Sequence, residues 1–167
     1  MKRFGLAVAC VLAAAGASAQ NSGQAPLGLL VRAGFFYPSD TVAREEGKQW
    51  FTFGAELDLG KVPLISSASN LRYSVSVDTY SKGGFTGVPI LLNFTSYSKD
   101  FHISFGVGAA AVDRPGFDDP MKLAYQVAIG WDFSTGPTGT TVELRWRSIA
   151  DVASSLDGVG LTIGVRL

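Results

Sequence analysis

The chain has 167 residues, 14 basic and 14 acidic side chains, one histidine and one cysteine. This is enough chain for one domain. There is no charge excess to hold a nucleic acid and too little sulfur for a disulfide framework. At 47% hydrophobic and 17% charged residues the chain is unusually apolar, yet no later run approaches the ~20 residues of a membrane-spanning helix.

Met1-Lys2-Arg3 gives a positive start, Phe4 to Gly16 an apolar and small-residue stretch, and Ala17-Ser18-Ala19 an A-x-A site. Together they read as a secretory signal peptide over residues 1–19, leaving 20–167 as a single domain. Cys10 lies inside the leader, and Ala7 stands where a lipoprotein signal would carry Leu. Lipidation is not expected, and the exported chain has no thiol. Loss of Lys2 and Arg3 leaves it mildly acidic.

Beyond the leader, period-two alternation recurs and helical period is nearly absent. It predicts eight strands. The first, Leu27 to Tyr37, sets Leu29, Val31, Ala33, Phe35 and Tyr37 against Arg32. The second, Gln49 to Leu59, sets Phe51, Phe53, Ala55, Leu57 and Leu59 against Glu56 and Asp58. The third, Leu71 to Tyr80, opposes Tyr73, Val75 and Val77 to Arg72 and Asp78. The fourth, Phe85 to Tyr97, groups Val88, Ile90, Leu92 and Phe94 opposite Asn93 and Thr95. Its Pro89 cannot donate to a ladder and is expected at a strand end or bulge. The fifth, Phe101 to Val112, opposes Ile103, Phe105 and Val107 to His102 and Ser104. The sixth, Lys122 to Phe133, opposes Val127, Ile129 and Trp131 to Gln126 and Asp132. The seventh, Thr140 to Ser148, opposes Val142, Leu144 and Trp146 to Glu143, Arg145 and Arg147. The eighth, Gly158 to Leu167, opposes Val159, Leu161, Ile163 and Val165 to Arg166.

Eight alternating strands close into a barrel of either polarity. A soluble lipocalin-like barrel, binding an apolar ligand, puts the apolar face inside; a small outer-membrane barrel puts it outside. Lys48, Lys61, Lys82, Lys99 and Lys122 all fall in turns or at strand ends, whereas a wet outer face would use lysine freely. The in-strand charges are five arginines (Arg32, Arg72, Arg145, Arg147, Arg166) and five carboxylates (Glu56, Asp58, Asp78, Asp132, Glu143), the forked pairing that suits a site poor in water. The same face is otherwise small: Gly106, Gly108, Ala110, Ala128, Gly130, Gly158, Gly160, Gly164. Aromatics near strand ends, among them Tyr37, Trp50, Phe51, Tyr73, Tyr80, Phe94, Tyr97, Phe101, Tyr125, Trp131 and Phe133, are expected in two interfacial girdles. The fold class is therefore all-β, an eight-stranded antiparallel up-and-down transmembrane β-barrel. Its lumen is expected to be plugged by ion pairs, with Asp58–Arg72 as a cross-strand pair and Arg145 and Arg147 reaching Glu56, Asp78 or Glu143. With the N-terminus periplasmic, Pro38 to Lys48, Ser81 to Gly84, Asp113 to Met121 and Ala150 to Asp157 face outward.

The alternating C-terminus "GVGLTIGVRL" resembles the assembly signal of the OmpA/OmpX-type eight-stranded outer-membrane barrels, with Leu167 where that family usually has an aromatic. The resemblance spans the exported chain. It implies a monomer in the bacterial outer membrane with a structural or surface-interaction role. Its partners would be outer-membrane lipid and, through the last strand, the barrel-assembly machinery. His102-Ile103-Ser104 resembles the His-x-Ser element of outer-membrane lipid A deacylases, which would make His102 the base and Ser104 the nucleophile. Here Phe105 replaces the Asn that follows in that family, and the nearest downstream acid is Asp113. A lumen histidine hydrogen-bonded into the polar interior is expected instead, with no enzymatic activity and no cofactor. Glu45-Glu46 and Asp118-Asp119 have no fixed ligand spacing and are expected to be solvated, not metal-bound.

Overall fold

In a computed structural model, residues 28–62, 70–116, 121–135, 138–152 and 155–167 are described. The signal peptide, the start of the first strand at Leu27 and the Asp118-Asp119 cluster lie outside them. The strands are β1 (Leu29–Pro38), β2 (Trp50–Lys61), β3 (Leu71–Lys82), β4 (Phe85–Ser98), β5 (Phe101–Asp113), β6 (Met121–Thr135), β7 (Thr138–Ile149) and β8 (Gly158–Arg166), with a short helix α1 (Thr41–Glu45) after β1. Each strand pairs antiparallel with its chain neighbour, and β8 returns to β1 to close the barrel. Paired residues followed round the wall run from Gly28 through Asp58, Ser74, Asn93, Gly106, Gln126, Arg147 and Gly158, and regain β1 at Pro38, ten residues on. That stagger tilts the strands and sets the bore.

The alternation settles the polarity. Phe35, Phe51, Ile90, Phe105, Leu123, Trp131, Leu144 and Ile163 are exposed, while Arg32, Asp78, Glu143, Arg145 and Arg147 are buried. The outside is an apolar belt and the inside is charged.

Two expectations need correction. Pro89 is neither at a strand end nor at a register shift. It lies inside β4, where pairing to β3 lapses between Val77↔Ile90 and Tyr80↔Gly87, as a residue with no N–H to donate requires. The register shift falls in β2, between Asp58 and Gly60. The girdle assignment fails for Trp50, Tyr80 and Tyr97. Trp50 and Tyr80 are fully buried on the lumen side, and Tyr97 is paired with His102 and stacks near it inside the barrel.

Trp50 and Tyr80 belong instead to an apolar cap at the end of the barrel remote from the chain termini. Phe36 stacks on Tyr80 with ring centroids 4.3 Å apart and packs on Trp50 at 5.7 Å, and Trp50 meets Phe85 at 6.1 Å. Ala43 of α1 and Val152 and Leu156 of the β7–β8 connection join the cluster, which strand residues such as Leu91 and Ile149 extend. The polar tips find partners: Trp50 Nε1 donates to the Gly47 carbonyl at 2.8 Å and the Tyr80 hydroxyl to the Leu156 carbonyl at 3.1 Å. Helix α1 starts where the Asp40 carboxylate accepts from Ala43 N at 3.1 Å, an N-cap.

Trp50→Ala removes the largest side chain of this cap and is expected to destabilise the fold by about 3 kcal/mol or more. Val127→Ala on the outer face should cost about 1 kcal/mol. Urea unfolding of the two variants in lipid vesicles gives the comparison.

Candidate functional site in the lumen

Below the cap the lumen carries two polar layers. The middle layer is built on Asp78. Arg32, from β1, donates Nε and Nη2 to the two Asp78 oxygens at 2.9 and 2.8 Å, and Nη1 to Glu56 at 2.7 Å. Arg145, from β7, donates Nε and Nη2 to Glu143 at 3.1 and 2.6 Å, and its Nη2 also reaches Glu56 at 3.4 Å. Arg147 brings Nη2 to 3.0 Å from Asp78 without hydrogen-bond alignment. Its other contacts, Gln126 at 3.3 Å and Thr52 at 3.4 Å, are long, and its guanidinium sits 5.6 Å from the Tyr80 ring centroid. Arg32, Arg145 and Arg147 are 1–2% exposed, so charge neutralisation is obligatory here. Arginine suits the task because its planar fork bonds two carboxylates at once and sheds water more readily than an ammonium.

Neutral side chains fill the gaps. Gln126 donates to Asn93 at 2.8 Å, Asn93 to Ser76 at 2.9 Å, and Ser74 to Glu56 at 2.7 Å. Gly54 is required by crowding: a β-carbon there would overlap the Asp78 carboxylate.

The second layer lies toward the chain termini. Arg72 Nε donates to Asp58 at 2.7 Å, the expected cross-strand pair. Arg166 lies 3.8 Å from Asp58 and donates to the Tyr97 hydroxyl at 3.4 Å. Leu30, Glu56, Asp58, Arg72, Tyr97 and Arg166 line a narrow cleft that opens to solvent. Asp132 does not meet an arginine. Its carboxylate is 2.9 Å from His102 Nδ1, and Glu143 is 3.1 Å from His102 Nε2.

Of the ten charged positions expected in the lumen, nine fall in these two arginine–carboxylate clusters, and Asp132 stands apart with His102, which joins it to Glu143. Sequence patterning missed His102 as the link, because its partners stand 30 and 41 residues away. Both ring nitrogens face carboxylates rather than Ser104, whose hydroxyl accepts from Thr95 at 3.1 Å. The structure does not bring His102 and Ser104 together as base and nucleophile. Among the described residues, no group of three or more His, Cys, Asp or Glu is arranged to hold a metal ion.

The fold and this interior define a small closed eight-stranded barrel of the kind found among outer-membrane proteins. Among solved structures the chain is similar to Neisserial surface protein A (NspA), with 15% identity and a TM-score of 0.57, covering 83% of this chain and 94% of that one. It is also similar to the outer membrane enzyme PagL, with 15% identity and a TM-score of 0.49, covering 83% and 98%. No family model and no curated protein matches.

Removing one partner of a buried pair leaves the other charge stranded, so Arg145→Met should destabilise by about 3 kcal/mol or more. Arg147→Met should cost less, because Asp78 keeps both bonds from Arg32 while the least well-aligned guanidinium is lost. Equal costs in urea unfolding would contradict this ranking.

Proposed function

We propose that the protein is an integral barrel of the bacterial outer membrane, of the OmpA/OmpX type. It is exported by its N-terminal signal and serves a structural or surface-interaction role as a monomer, without catalysis. The observation that carries this proposal is the polarity of the wall, an apolar belt outside and a paired charge network inside. A soluble barrel for an apolar ligand would need the reverse. A closed sheet leaves no free edge in lipid, so its exterior can face acyl chains directly.

The lumen of this barrel is filled rather than open. The aromatic cap closes one end, and the Arg32–Asp78–Arg147 cluster occupies the middle. The connections β1–β2, β3–β4, β5–β6 and β7–β8 share the capped end, which faces outward if the termini are periplasmic.

The protein should fractionate with outer membranes, need detergent to stay monodisperse, and show no steady conductance in planar bilayers. A cysteine at Glu46 should react with an impermeant thiol reagent on whole cells, and one at Lys99 should not. Recovery of folded, monodisperse protein from buffer alone would rule out the membrane assignment, and steady conductance would rule out the plug.

A further inference from the structure

His102 is the only histidine of the chain, and it stands where the solvated layer meets the buried one. It projects from β5 between Asp132 of β6 and Glu143 of β7. Its side chain is 3% exposed, that of Asp132 29% and that of Glu143 4%. The neighbouring strand leaves room for the ring: Gly130 of β6 is the cross-strand partner of His102, and a β-carbon there would lie 2.5 Å from His102 Nε2.

The groups facing the ring come from every neighbouring strand. From β4, the Tyr97 ring lies 5.3 Å away, and its hydroxyl holds Arg166 of β8. From β6, Asp132 is fixed by its own N–H, which donates to the Asp100 carbonyl at 2.7 Å. From β7, Glu143 shares its second oxygen with Arg145, and Arg145 in turn contacts Glu56 of β2, which Arg32 of β1 also holds. Two ionised carboxylates, one at each ring nitrogen, are both satisfied only by a ring that donates from both nitrogens. A neutral ring donates once and turns a lone pair toward the other carboxylate.

We infer that the His102–Asp132–Glu143 clamp is a proton-sensitive fastening of β5 to β6 and β7, reached by protons from the end of the barrel where β1 begins and β8 ends. The cap bars the other route, while the partly exposed Asp132 offers this one. The fastening is complete while the ring carries two protons and the carboxylates none. It weakens as pH rises through the ring's titration in the folded barrel. Because Glu143 is shared with Arg145, ring deprotonation is felt in the middle layer. The inference depends on the barrel interior and not on the compartment that holds the protein.

The test uses the refolded full barrel in detergent micelles from about pH 5 to about pH 10, the span around histidine titration. Nitrogen-15 NMR should find both His102 nitrogens protonated at the lower end, with loss of one proton on going up. Over that same step the unfolding equilibrium should shift by about tenfold, the scale of one charge-assisted hydrogen bond. His102→Gln should remove the step. Asp132→Asn, which keeps the ring and removes one carboxylate, should move it to lower pH. A ring with a single proton throughout, or a step of equal size in His102→Gln, overturns the inference. If His102→Gln fails to fold, the nitrogen-15 titration of the wild type and Asp132→Asn still decides it.

Discussion

Three guanidinium groups converge on one aspartate. Asp78 accepts two bonds from Arg32, lies 3.0 Å from Arg147 and 4.0 Å from Arg145, and is 2% exposed. A carboxylate so placed cannot give up its cations, and they cannot give up each other's acids, Glu56 and Glu143. Charges cut off from water must neutralise one another. The narrow bore of eight strands brings side chains from opposite walls within reach to do so. Arg145 and Arg147 of β7 meet Glu56 and Thr52 of β2 across the lumen. Once the outer face is apolar, the polar half of every strand has only this interior to occupy, and the interior dictates the rest: small residues where arginines pass, amides where a carboxylate would be one too many.

The two ends of the barrel obey different rules. At the end away from Gly28 and Leu167, Phe36, Trp50, Tyr80 and Phe85 pack together under α1 and the β7–β8 connection. Arg114 braces that connection by donating to the Val152 carbonyl at 2.9 Å. At the other end Arg72, Asp58 and Arg166 sit in an open cleft, where solvent screening makes each pair worth little. Burial decreases along the barrel axis from the aromatic cluster to the Arg72 and Arg166 end, and His102 stands between.

Strand existence, strand parity and the inward charges were legible in the sequence because a period of two leaves each residue only two choices. Asp58–Arg72 was legible for the same reason, since a hairpin fixes its own register. Tyr80 and Trp50 lie near strand ends, as girdle residues do, but parity places both inside. Their neighbours Phe51 and Thr79 alternate plainly, and following them would have turned both rings inward. The cap as a whole was not legible, since Val152, Leu156 and Ala43 reach it from connections whose shape no periodicity encodes. The His102 clamp joins three strands, and alternation cannot say which inward residues stand level with one another. That depends on the stagger, which includes the shift at Asp58/Gly60.

Closure of the sheet has a temporal side. Seven of the pairings join consecutive strands and can form as hairpins from local chain. The eighth, from Leu30↔Arg166 to Pro38↔Gly158, joins the two ends of the domain and must await the last strand. Non-local pairing of this kind bears the greatest loop-closure cost and is slow. The contacts of Arg145 and Arg147 with β2 and β3 depend on the same event. Before it, their guanidinium groups lie on an open, wet sheet. Zipping β8 to β1 therefore expels water, fastens the ion pairs and ends the exposure of two unpaired edges in one cooperative step. Until that step is complete, the nascent barrel is an edge-bearing sheet open to pairing with any other strand it meets.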